Sequence, residues 1–144
     1  MTDIILTPVI NNLTVTQQVN AVTLATSGPQ GATGAAGLPG LTPIFSRQDV
    51  LTPYVGTARF YFDTARTIST IRASVGTAPT GAPVVVTVYR NGTAFSTLTI
   101  AAGTNTILNT VNTLTNINDY VTVSIISVGS TVAGSDLTVT LNII

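Results

Sequence analysis

Two periods run along this chain. From residue 44 onward, apolar and polar positions alternate in short runs: IFSRQDV (44–50), TARFYF (57–62), TISTIRASV (67–75), VVVTVYR (84–90), TAFSTLTI (93–100), TNTILNTV (104–111), YVTVSIISV (120–128) and DLTVTLNI (136–143). Alternation by two sends successive side chains to opposite faces of a strand, and none of these runs keeps a helical period. Eight short strands separated by turn residues predict an all-β domain over 41–144, an antiparallel β-sandwich of jelly-roll-like type. Asn91-Gly92 between two β runs is a hairpin signal, because a type I′ turn needs positive φ at both central residues. VNTLTNIND (111–119) is where alternation weakens, and a helical turn is one option there.

The second period lies upstream. Glycine returns at every third position in GPQGATGAAGLPG: Gly28, Gly31, Gly34, Gly37 and Gly40. The collagen triple helix demands that spacing, because three polyproline-II chains meet at an axis with no room for a Cβ. A Gly/Ala linker tolerates the same composition. Strict register, with Pro29 at an X position and Pro39 at a Y position, favours a short triple-helical neck over 28–40, and hence a homotrimer. Four triplets cannot hold three chains by themselves, so the flanking segments must supply most of the trimer's stability. Residues 1–27 read as an extended β arm. Leu13, Val15, Val19 and Ala21 share one face, and Asp3 is the single charge before Gly40. So apolar an arm is built to be covered, by sister chains or by a larger surface. A strand that pairs with the C-terminal domain is the plainer reading.

Composition sharpens this picture. Charged residues make up 7% of the chain, against about 25% in an ordinary domain. They balance to zero, which gives no long-range pull toward nucleic acid or anionic lipid. No apolar run reaches the length of a membrane span, and MTDIILTPV lacks the basic and apolar regions of a signal peptide. A charge-poor β protein has few chemical means of guarding its sheet edges, so its edges are expected to close or to be covered by copies of itself.

The β region also echoes itself. VGTAPTGAPVVVTV (75–88) aligns without a gap on VGSTVAGSDLTVTL (128–141). Each copy reads as strand, glycine-bracketed loop, strand, which predicts two similar hairpins with loops of one shape.

The phrases TISTIRASVGTAPTGA, VYRNGT, TIAAGTNT and VGSTVAGSDLTV, preceded by GPQGATG and an extended N-terminal segment, resemble bacteriophage virion proteins. These include collagen-like tail fibres and capsid-surface decoration proteins. The resemblance runs from about residue 20 to the C-terminus. It implies a trimeric component exposed on the virion surface, its N-terminal end toward the particle and capsid or other virion proteins as partners through 1–27. The short Gly-X-Y segment argues against a long reaching fibre.

Candidate chemistry is sparse. Without His, Cys, Lys or Glu, the usual nucleophile–base pairs and zinc ligands are missing, and no enzymatic role, metal or cofactor is expected. Asp49, Asp63, Asp119 and Asp136 sit beside turns or strand ends, where Asp caps backbone groups. Alternation puts Phe60 and Phe62 on one face and Arg59 with Tyr61 on the other. Tyr61 is then a surface tyrosine or, in the sharper reading, one that stacks on a sugar. The remaining candidate contacts are the loop residues Thr77, Thr80, Ser130 and Ser135. Two functions remain open: a capsid decoration or cement protein, and a tail module that recognises host-surface glycan.

Overall fold

A computed structural model describes residue 40 and residues 42–144. The arm over 1–27 and the glycine repeat before Gly40 lie outside the described residues. Eight strands follow: β1 (Ile44–Val50), β2 (Phe60–Tyr61), β3 (Arg66–Ser74), β4 (Val84–Arg90), β5 (Thr93–Ile100), β6 (Thr106–Thr115), β7 (Tyr120–Ser127) and β8 (Ser135–Ile143). They form two antiparallel four-stranded sheets, ordered β1-β8-β3-β6 and β2-β7-β4-β5. The region is an all-β sandwich.

The sheets meet through their alternating apolar faces. Ile68, Ile71, Val139 and Leu141 of the first sheet and Val86, Val88, Leu98 and Val121 of the second are fully buried in one core. Each such side chain contributes roughly 1.5–3 kcal/mol by leaving water. Ile68 and Ile71 both point inward although three positions apart. Ile68 pairs with Ile143 and Thr70 with Asn142, so Ser69 is an extra residue that resets the alternation. Ser69 Oγ donates to the Asn142 carbonyl oxygen and accepts from Asn142 Nδ2, both at 3.0 Å, which closes the bulge.

The alternation locates β1, β4 and β5 to the residue, and the Asn91-Gly92 turn has the expected positive φ, 51° and 82°. Three expectations are corrected. The strand expected over 57–62 shrinks to Phe60–Tyr61. Tyr54 bridges Ile125 and Phe60 pairs with Val121, so five residues span the three of β7 between these partners. Gly56 enables that detour: a Cβ there would stand 1.7 Å from the Val123 carbonyl oxygen. The segment 111–119 holds no helical turn in its first half. β6 continues to Thr115 past a bulge at Asn112 (φ 48°), and the reversal comes at 116–119.

The third correction concerns the echo. The two copies are not hairpins. The loop after β3 carries the chain from the first sheet to the second, and the loop after β7 carries it back. Each strand pairs with one from the other copy, β3 with β8 and β4 with β7. The loops pair as well, through Thr77–Ser135 and Thr80–Val132 bridges. The loops share one backbone feature: Gly81 and Gly134 hold φ of 79° and 90°.

These pairings give the sandwich two distinct ends. Gly40 lies beside the finish of β8, where a Cβ would be 3.5 Å from the Ile143 carbonyl oxygen. The Asn91-Gly92 turn and the 116–119 turn share that end. Loops 75–83, 101–105 and 128–134 occupy the opposite one.

The sheet margins are irregular, and β1 also carries Arg47 and Asp49. β2 is two residues long, β1 breaks register between Arg47 and Val50 around Asp49 (φ 66°), β5 slips against β4 at Val88/Tyr89, and β6 carries Asn112. Short, kinked edge strands obstruct pairing with another chain.

Candidate functional site

Four of the sequence-chosen contact residues come together. Thr77, Thr80 and Ser130 sit in the paired loops and Ser135 opens β8 beside them, at the end away from Gly40. Two of their hydroxyls are engaged. Ser135 Oγ is 3.1 Å from Thr77 Oγ1 and donates to Asp136 Oδ2 at 2.7 Å, while Asp136 Oδ1 accepts from the Asp49 amide at 3.1 Å. Thr80 donates its amide to the Val132 carbonyl and accepts from the Thr131 amide, each at 3.0 Å. The loops therefore lock one another, and Thr80 and Ser130 remain exposed on the outside. Gly103 ties in the β5–β6 loop by donating to the Pro79 carbonyl at 2.8 Å.

Tyr61 lies elsewhere, on the outer face of the second sheet near the Gly40 end. Its partner across β2 and β7 is Tyr120, and the two rings stand 5.6 Å apart, tilted by 50°. Arg59 lies over the Tyr120 ring, 4.7 Å from its centroid, and donates from Nη1 to Tyr61 Oη at 3.3 Å. That hydrogen bond comes first among the causes that raise the Arg59 pKa above its ordinary value, and no carboxylate contributes. On the inner side Phe60 and Phe62 pack edge to face at 5.3 Å, with Phe62 buried, so the alternation read from the sequence places all four side chains correctly.

The outer face continues along β7. A groove of about 300 Å³ is lined by Tyr89, Thr122, Ser124, Val55 and Ile126, among others. Tyr89 pairs with Thr122, which puts its ring on the same face as Tyr120. Sequence reasoning missed Tyr120 and Tyr89. The VVVTVYR alternation alone turns Tyr89 opposite to Val86 and Val88, so that signal was available. Tyr120 joins Tyr61 only through a pairing of residues far apart in the chain, and no local pattern carries it.

Asp119 closes the turn below this face. It accepts from the Asn116 amide at 2.8 Å and from Asn91 Nδ2 at 2.6 Å, which hold its carboxyl below the usual range, the backbone bond first. It caps backbone as expected of an Asp at a turn. A second cavity, of about 220 Å³, opens between the sheets beside β1 and is lined by Phe45, Val123, Ile125 and Val139. At its edge Arg47 stacks 4.8 Å from the Tyr54 ring centroid. Among the described residues no group of three acidic, His or Cys side chains could hold a metal ion. No protein-family model matches the sequence, and no curated protein matches it.

Proposed function

We propose that this chain is a homotrimeric structural protein on the outer surface of a bacteriophage particle, a decoration or cement protein held to the capsid by residues 1–27. Residues 28–40 form a collagen-like neck and residues 41–144 the exposed head, a jelly roll. The strand orders β1-β8-β3-β6 and β2-β7-β4-β5 support the jelly roll, an architecture that recurs in viral capsid and lectin domains. One observation carries the neck-and-head reading. Gly40, the last glycine of the period-three run, abuts one end of the sandwich, and the paired loops stand at the other. A chain laid out this way projects its loops away from its attachment.

Native mass measurement of the full chain tests the trimer, with a mass of three chains expected and one or two refuting it. Gly34→Val is expected to weaken the trimer, because a Cβ at the axis cannot be accommodated. Unchanged melting and stoichiometry in that variant would count against the neck. Reconstruction of the particle tests the location: hundreds of copies on the capsid are expected. A few multiples of three at a tail would instead support the second reading, receptor recognition by the loop end, which the outward placement of Thr80 and Ser130 favours.

A further inference from the structure

The outer face of the second sheet carries a strip of rings and hydroxyls that no packing within the sandwich requires. Tyr61 is half exposed. Tyr120 is its ring partner, and Tyr89 follows on β4, diagonal to Tyr120 across the pairing with Thr122. Thr122 follows Tyr120 on this face of β7 and lines the groove beyond the rings, together with Ser124, whose buried hydroxyl accepts from the Gly56 amide. From Tyr120 to Ile126 the strip is about 20 Å long, at roughly 3.3 Å per strand residue.

Its chemistry narrows the occupant. An apolar protein partner would favour the aliphatic end of the groove, at Val55 and Ile126, whereas at the other end the rings of Tyr61, Tyr120 and Tyr89 lie beside Arg59 and the Thr122 hydroxyl. A nucleic acid would want several cations, and Arg59 is the one cation in the ring cluster. Arg59 lies over the Tyr120 ring with one nitrogen given to Tyr61. A guanidinium held this way keeps further N–H donors for a ligand's oxygens. Flat rings beside fixed donors suit a pyranose chain, whose C–H faces stack on aromatics while its hydroxyls hydrogen-bond around them.

We propose that this strip is an oligosaccharide-binding site, with Tyr61 and Tyr89 stacking on sugar rings and Arg59 and Thr122 holding sugar oxygens. The strip runs along β7, and the four contacts named here lie toward its Gly40 end, away from the paired loops. It is independent of whether the head decorates a capsid or tips a fibre, so failure of one leaves the other standing.

The test begins with the full-length protein on an array of neutral and acidic oligosaccharides, followed by titration of the best binder. The chain has four tyrosines and no tryptophan, so tyrosine fluorescence reports directly on the strip. Binding with a fluorescence change is expected. Tyr61→Ala and Arg59→Ala should each weaken it about tenfold, the loss of one well-placed contact. Tyr61→Phe should keep most of the affinity, because the ring remains. Thr80→Ala and Ser130→Ala, at the opposite end, should leave it unchanged. Melting curves establish that each variant is folded. Absence of binding to every oligosaccharide on the array overturns the proposal. Binding that survives the Tyr61 and Arg59 changes, or that falls with Thr80 or Ser130, overturns it equally.

Discussion

The two echoed segments, Val75–Val88 and Val128–Leu141, share a sequence pattern but not a set of surroundings. One leads from the first sheet to the second and the other leads back, and each strand takes its partner from the other copy. Their second glycines behave alike: Gly81 and Gly134 both adopt positive φ. Their first glycines differ. Gly129 is buried, and a Cβ on it would stand 1.9 Å from the Val132 carbonyl oxygen. Gly76 is exposed, and its Cβ would first meet the Asp136 side chain, at 3.1 Å, rather than backbone. A repeated sequence thus fixes a repeated backbone turn, while the neighbours decide which copy of a glycine is indispensable.

Substitution by alanine at the four glycines sharpens or breaks this contrast, and chemical denaturation reads each result. Gly129→Ala should cost the most, about 3 kcal/mol or more, since a backbone oxygen cannot turn away from the new methyl. Gly134→Ala should cost about 2 kcal/mol, from positive φ together with a 3.3 Å approach to the Thr77 carbonyl oxygen. Gly81→Ala should cost about 1 kcal/mol, because its closest neighbours, Ser130 Oγ and Thr131 Oγ1, are side-chain oxygens that can rotate. Gly76→Ala should fall within about 0.5 kcal/mol of the parent protein. Equal losses at Gly76 and Gly129 would erase the distinction between the two loops.

Much of the head was legible because strand alternation is a local property. The runs at 44–50, 84–90 and 93–100 matched observed strands end for end, and Asn91-Gly92 announced its own turn. Pairing across the sandwich is not local. Nothing within TISTIRASV or VVVTVYR says that these strands belong to different sheets, so a crossing connection looked like a hairpin. The odd interval between Ile68 and Ile71 was a readable trace of the Ser69 bulge, since two core isoleucines three apart cannot both face inward on a regular strand. The retreat of 57–59 from the sheet had its trace in Gly56, a residue without side chain where the chain passes close to β7. At the candidate sites the division is the same. The loop hydroxyls were found through the echo and Tyr61 through alternation, whereas Tyr120 required knowledge of which strand lies next door.

The kinked margins of the sheets have a consequence for crowding. Flat, uncharged sheet borders invite pairing with further chains and can zip together into fibrils. Here a growing ladder would meet a displaced residue at Asp49 or Asn112 within a few rungs and stall. The path of the chain itself thus opposes ladder growth, which leaves the outward side chains free to be selected for what they touch.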